Sequence, residues 1–323
     1  MSFFLASLKE SGKLDNVFMT VGIVGSRKLS IGDDYGSADW RLLAPNLTIY
    51  GFDADDDVCE EANTDIAVRQ VNWKEKHIPL ALNSSVGEST LYVTEQLACT
   101  SLYPPNSTYL ARFTQIIPDS FRVNLTLEME TTTLDTYCQQ EGINEIDFLQ
   151  IDVQGADLDV LKGASLLLSR SVLAIQTEVE FSALYMNQPL FADIDIYLRK
   201  KDFTLFDLEG CSRYTRSRSP IYSPKRGGQL LWADALYFRD LIREDINSPL
   251  KTPLHILKLA CIADILGFPD YALELLEYLT VHHGDDPKYN LANPIIKSLS
   301  QLPELVERGL DSLPVVTNIR TRL

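Results

Sequence analysis

Lysine and arginine are in short supply: 29 of them stand against 45 aspartates and glutamates in 323 residues, a formal net charge of -16. That deficit argues against a nucleic-acid backbone as the main partner, because such binding rests on cations neutralising phosphates. Only four histidines occur (His77, His255, His282 and His283), and they have no metal-ligand spacing. The five cysteines (Cys59, Cys99, Cys138, Cys211 and Cys261) are odd in number and scattered, without a C-x-x-C. They fit reduced thiols better than a disulfide framework or a zinc site. No apolar run approaches the ~20 residues of a membrane span. The opening MSFFLASLKESGKLD has too short an apolar run and the wrong flanks for a signal peptide. A soluble, cytoplasmic protein is therefore expected, and the sequons at Asn46, Asn83, Asn106 and Asn124 are read as bare. G-x-S-x-G is missing, so hydrolase chemistry has no support. A complete G-x-G-x-x-G is missing as well, which weakens a nicotinamide-dependent oxidoreductase.

What is present is a pattern of strands and helices with 45% hydrophobic residues, enough for a sizeable core. Residues 2–13 read as a short amphipathic helix, and NVFMTVGIVGS (16–26) as a strand breaking at glycines. Leu47 to Phe52 read as a strand ending at Asp53, followed by an acid-rich helix start. IPLALNSSVGESTLYV (78–93) reads as strand, turn, strand. Residues 97–125, rich in Pro, Ser and Thr, read as a loop or lid. TTTLDTYCQQEGI (131–143) is a Thr-capped helix stopping at Gly142. Then come a strand at 147–153, a helix at 156–168, a strand at 171–181 and a helix at 189–203. TLFDLE and LLWADALYFRD (230–240) close the series without a helix between them. The alternation predicts a doubly wound α/β sheet, mostly parallel, with an antiparallel edge strand. Beyond about residue 245 the pattern is helical only. The expected organisation is thus 1–245 as the α/β domain and 246–323 as a helical appendage. The apolar positions Leu254, Ile256, Leu257, Leu259, Ile262 and Leu266 cover more than one helix face. They imply packing on the main domain or a homodimer through these helices.

In such a sheet, ligands bind beyond the C-terminal strand ends, near the topological switch point. Three strand ends matter. The first carries Gly22, Gly25 and Ser26, a cofactor loop or an ordinary tight turn; IGDDYGS (31–37) is a rival glycine loop. The second carries Asp53, placed to accept from ribose hydroxyls or to cap the following helix, a task that Asp55 to Asp57 also suit. A calcium loop at 53–64 fails, because Val58 replaces the needed Gly and Thr64 the final Glu. The third carries Asp152, which either caps the helix at Ala156 or serves chemistry. Glu178 and Glu180, on one face of the next strand, are candidates to share a proton, hold a hard metal or act as base. No metal is expected, since no histidine lies near. Between Gly210 and Gln229 stand Arg213, Arg216, Arg218, Lys225 and Arg226 and no acid. This is a solvated loop or a lid attracting an anionic substrate.

Together these motifs resemble the FkbM-family methyltransferases, over about residues 16 to 240. DFLQIDVQGADLDVLKGA resembles that family's most specific segment, and IYGFDAD its ribose-binding acid motif. PLALNSSVGESTLYV followed by CTSLYPPN resembles its next two blocks, and EVEFSALYMNQPLFADIDIYLRKKDFTLFDL is similar to its distal half. Thr20, Gln150 and Gln154 depart from residues common there, an acid, a Lys and a Glu. The resemblance implies a Rossmann-like sheet and S-adenosyl-L-methionine as cofactor, bound by Gly22, Gly25, Ser26, Asp53, Ala54, Ala81 and Leu82. It implies methyl transfer to a hydroxyl of a small-molecule, glycan or natural-product acceptor, with Asp152 and Glu178 as the catalytic pair. A non-catalytic binding protein on the same fold is the other reading.

Overall fold

Continuous apolar runs make strands that are buried on both faces, and here they stack into one sheet. The computed structural model describes residues 2–27, 39–245 and 248–322. Its main sheet contains β1 (Met19–Val24), β2 (Leu47–Asp53) and β3 (Lys74–Pro79). The second sheet takes β4 (Ala81–Leu82), β5 (Gly87–Thr94) and β6 (Val123–Thr132). The main sheet resumes with β7 (Phe148–Ile151), β8 (Ala174–Glu180), β9 (Thr204–Tyr214) and β10 (Gln229–Phe238). The order is β3-β2-β1-β7-β8-β10-β9, with β10 antiparallel to both β8 and β9. The expected doubly wound, mostly parallel sheet with an antiparallel closing pair is therefore what forms. β1 joins β2 on one side and β7 on the other, so the winding reverses between β1 and β7.

The helices are α1 (Leu5–Glu10), α2 (Asp56–Arg69), α3 (Ser107–Leu110), α4 (Ile116–Ser120), α5 (Leu134–Glu141), α6 (Asp157–Gly163), α7 (Ser165–Arg170) and α8 (Phe191–Arg199). After the sheet come α9 (Pro253–Ile265), α10 (Pro269–His283), α11 (Ala292–Leu299), α12 (Pro303–Arg308) and α13 (Pro314–Ile319). Local chemistry sets several ends. Thr133 Oγ1 accepts from Thr136 N–H at 3.0 Å to start α5, and Gly142 ends it at φ 68°. Thr252 caps α9, with Pro253 in its first turn.

Three expectations change. The 97–125 segment is not all loop: it holds α3 and α4 and leads into β6, whose partner β5 lies across it. The predicted helix at 156–168 is two helices meeting at Ala164. There an added Cβ on Gly163 would lie 2.2 Å from the Asn83 carbonyl oxygen, so the backbones touch. The strand–turn–strand of 78–93 is β3, β4 and β5, with β3 beginning earlier, at Lys74.

Strand alternation loads both faces of the sheet. Phe148, Ala174 and Phe238 pack on one side with α1, α9, α10 and α11; Leu149, Ile175 and Tyr237 pack on the other with α5 to α8. Every residue from Ile256 to Asp264 in α9 is buried. The apolar surplus of that helix is therefore absorbed within the chain. Polar anchors fix it: Lys258 Nζ donates to Asp147 Oδ1 at 2.8 Å, and Asp147 Oδ2 accepts from Thr20 N–H at 2.8 Å. Asp264 accepts from the backbone N–H groups of Phe3, Phe4 and Leu5, at 2.8, 2.8 and 2.9 Å.

Removing one partner of a buried ion pair strands the other charge. Lys258→Met is expected to lower unfolding free energy by about 3–5 kcal/mol in urea denaturation, and Asp147→Asn/Lys258→Met by less. Equal losses in both would mean that the charge pairing is not what holds α9 to the sheet.

Candidate active site

The sheet reverses its winding at β1 and β7, and the first residues past those strands meet. Gly25 has φ 81°, and a Cβ on it would fall 1.9 Å from the Asp152 carbonyl oxygen. Any side chain there would push the two strand ends apart. Asp152 N–H donates to Val24 O at 2.9 Å, while Gly25 and Ser26 N–H donate to Phe52 O at 2.9 and 3.0 Å. Three loops are thereby locked together, and Gly25, Asp53 and Asp152 become neighbours.

Above them lies a cavity of about 810 Å³, lined among others by Gly25, Asp53, Ala54, Ala81, Leu82, Asp152, Gln154 and Glu178. Of the residues singled out from sequence, seven gather here. Two do not. Gly22 sits inside β1, paired with Tyr50 and Leu149, and an added Cβ would meet the side chains of Leu149 and Ile146 at 3.1 and 3.3 Å. It makes room for core packing, not for a ligand. Ser26 is buried, and its Oγ pairs with His77 Nδ1 at 3.0 Å. His77 Nε2 pairs in turn with Glu75 Oε1 at 3.1 Å. This buried chain turns Ser26 away from the cavity. The rival glycine loop at 31–37 lies outside the described residues.

The two readings of Asp53 separate. Asp55 caps α2, its Oδ1 accepting from Asp57 and Val58 N–H at 3.1 and 3.4 Å, while its Oδ2 meets Arg27 Nη2 at 2.6 Å. Asp53 is released from capping and lines the cavity, with Oδ1 fixed by Asp55 N–H at 3.0 Å. Burial raises its pKa. Asp152 likewise is not the cap of α6: that position is Ala156, without a side-chain cap. Asp152 is instead an exposed carboxyl on the cavity wall.

Sequence reasoning noted Gln154 only as a departure, yet it organises the site. Gln154 sits at φ 54° and Gly155 at φ 89°, a left-handed pair that turns the chain sharply. Gln154 Nε2 donates to Asp152 Oδ1 at 2.8 Å and to Glu178 Oε2 at 2.7 Å. Its Oε1 accepts from Tyr185 OH at 3.0 Å, and its carbonyl from Ser101 Oγ at 2.6 Å. An amide holds two acids with its two hydrogens and a phenol with its oxygen. The nearest sequence signal was a polar residue before a glycine; its partners lie 24 and 31 residues along the chain.

Behind this pair is a densely acidic interior. Asp157 is fully buried, accepting from Gly155 N–H at 3.1 Å and Thr177 Oγ1 at 3.3 Å. Glu180 is 1% exposed. Burial first, then the neighbouring carboxylates, push Asp157 and Glu178 well above the usual carboxylate range. Burial and then Asp152 push Glu180 up to about 8, and Asp234 to about 6. Burial among like charges thus favours the protonated form of both Glu178 and Glu180. Among the described residues, no group of three or more His, Cys, Asp or Glu is arranged to hold a metal ion. The basic residues of 213–226 do not line the cavity. Arg216 bonds to Gln229 and lies 4.5 Å from the Phe113 ring.

Residues 48–205 match the family model described as Methyltransferase FkbM domain. The 2-O-methyltransferase NoeI of Sinorhizobium fredii (strain NBRC 101917 / NGR234) is 38% identical over 71 residues, 22% of this chain and 29% of that protein. The chain thus spans less than a third of that relative. Among solved structures, methyltransferase FkbM from Methylobacillus flagellatus KT aligns at TM-score 0.38 and 12% identity, over 68% of this chain and 43% of that one. Magnesium protoporphyrin IX methyltransferase (ChlM) from Synechocystis PCC 6803 aligns at TM-score 0.34 and 13% identity, over 73% and 76%.

A carboxyl whose pKa rises on folding is a growing burden as pH climbs. Glu180 leaves its unfolded value near 4.5 for about 8 in the fold, so its contribution is lost as pH rises between those values. Glu180→Gln removes that loss. Its Tm advantage over the unaltered protein should widen by several degrees between pH 5 and pH 8.5 in thermal melts. A constant difference would mean Glu180 is ionised in the fold.

Proposed function

Residues 48–205 are an FkbM methyltransferase domain, and from that premise we propose that the cavity transfers a methyl group from S-adenosyl-L-methionine to an acceptor hydroxyl. The observation that carries this is the meeting of Gly25, Asp53 and Asp152 at one rim, where the sheet reverses its winding. The residues suit the cofactor. Gly25 leaves the backbone bare at the strand end, Asp53 is freed from capping to accept from a ribose diol, and Ala54, Ala81 and Leu82 offer small and apolar surface for a base. When bound, S-adenosylmethionine supplies an electrophilic methyl group on sulfur.

The chain's own work is to orient the acceptor and to take a proton. Asp152 would hold an acceptor hydroxyl at its carboxylate and take up the proton that hydroxyl gives up. Glu178 keeps its own proton, and through Gln154 it fixes the carboxylate of Asp152. Orientation supplies much of the acceleration and a general base about 10²–10⁴-fold. Oxygen as the acceptor atom is supported by the partial relative's name, a 2-O-methyltransferase. The C-terminal helices serve as a buttress behind β1 and β7.

Titration calorimetry with S-adenosylhomocysteine tests the cofactor end: Asp53→Ala should weaken binding at least tenfold, about 1.4 kcal/mol. Unchanged affinity would remove Asp53 from the site. Asp152→Asn keeps the size and loses the base. Its methyl-transfer rate on the true acceptor should fall about a hundredfold while S-adenosylhomocysteine still binds; near-full turnover would shift the base elsewhere.

A further inference from the structure

The cavity has two ends of opposite character, and only one suits a cofactor. At the other end stands the small sheet. Its register sets Ser89 opposite Met129, Leu91 opposite Leu127, and Val93 opposite Leu125. Cross-strand partners share a face, and alternate residues along a strand share it too. Leu91, Val93, Leu125, Leu127 and Met129 therefore form one apolar ladder, and all five line the cavity. The opposite face is polar, with Thr90 Oγ1 donating to Glu128 Oε1 at 2.7 Å. A half-buried sheet turns its apolar face onto a core. Here that face turns onto the cavity, and Leu125 and Leu127 stay 48% and 49% exposed. Trp232, from β10, also lines the cavity and stands opposite Glu180 on β8.

Charge narrows the occupant further. Among the described lining residues the single cation is Arg27, and Asp55 engages it; the acids are Asp53, Asp55, Asp56, Asp57, Asp152 and Glu178. A phosphate or carboxylate brought to Asp152 would be repelled.

We propose that the acceptor is an uncharged amphiphile, a hydroxyl-bearing head at Asp152 carried on an aliphatic body that lies along β5 and β6. The inference rests on the methyl-transfer reading of the same cavity. From residue 89 to 93 the ladder runs ~14 Å at ~3.4 Å per residue, the length of a medium alkyl or acyl chain. An aliphatic body is favoured over an aromatic one because leucine, valine and methionine make the ladder.

Hexyl, octyl and decyl β-D-glucopyranosides, kept below their micelle concentrations, probe it by titration calorimetry on the full chain. Dissociation constants should fall at least threefold for each two added carbons, since each buried methylene contributes. In Leu125→Asn/Leu127→Asn that dependence should disappear. Octyl sulfate should bind at least tenfold more weakly than octyl glucoside. Affinity independent of chain length, or an unaltered dependence in the double variant, would overturn the apolar body; equal binding of octyl sulfate would overturn the uncharged head. If the double variant melts early, the unaltered protein's chain-length series and sulfate comparison decide alone. S-adenosylhomocysteine binding is measured separately: its absence would sink the methyl-transfer reading, whereas the glycoside series reports on the sheet face whichever way that falls.

Discussion

Asp152, Asp157, Glu178, Glu180 and Asp234 crowd around the ends of β7, β8 and β10, and like charges so close in a poorly solvated interior cannot all ionise. The rest of the site follows from how that conflict is resolved. Burial and like charge raise the pKa of the buried members, that of Glu180 to about 8. Asp152 and Glu178 both line the cavity, and of the two only Asp152 is exposed. Gln154 then places one neutral amide between Asp152 and Glu178. A carboxylate in place of that amide would add a further like charge at hydrogen-bonding distance.

A second constraint is steric. Gly25 is the one residue type that allows the Asp152 carbonyl into the space beside β1, and that contact closes the gap between β1 and β7. The strand ends then share the backbone hydrogen bonds of Phe52 and Val24. The polar end of the cavity is therefore a rigid part of the main sheet. The other end is built by β4, β5 and β6, a separate sheet whose apolar ladder lines the cavity with Leu125 and Leu127 half exposed. One cavity thus joins a polar rim at the main-sheet strand ends to an aliphatic wall from the second sheet.

The sheet was legible because buried parallel strands leave continuous apolar runs and helices between them leave caps. That Asp53, Ala54, Asp152 and Glu178 line one cavity was legible for the same reason, since they stand at strand ends that open on one side of the sheet. β6 was not: its sequence VNLTLEMETT alternates, but it follows a Pro- and Ser-rich stretch and its partner lies more than thirty residues back. Gly22 and Ser26 misled because glycine and serine after an apolar run look alike whether they face a ligand or the core. Only the position of Leu149 and Ile146 against Gly22, and of His77 against Ser26, distinguishes the two.

The sequence by itself determined the strand–helix alternation, the reversal of the closing pair and the acids at the strand ends, because each is written in periodicity within about twenty residues. Packing of distant segments sets which acids are pushed toward the neutral form, joins Asp152 to Glu178 through Gln154, and turns leucines from β5 and β6 into the cavity. Those outcomes depend on desolvation and on partners brought from distant segments, and neither quantity is carried by local pattern.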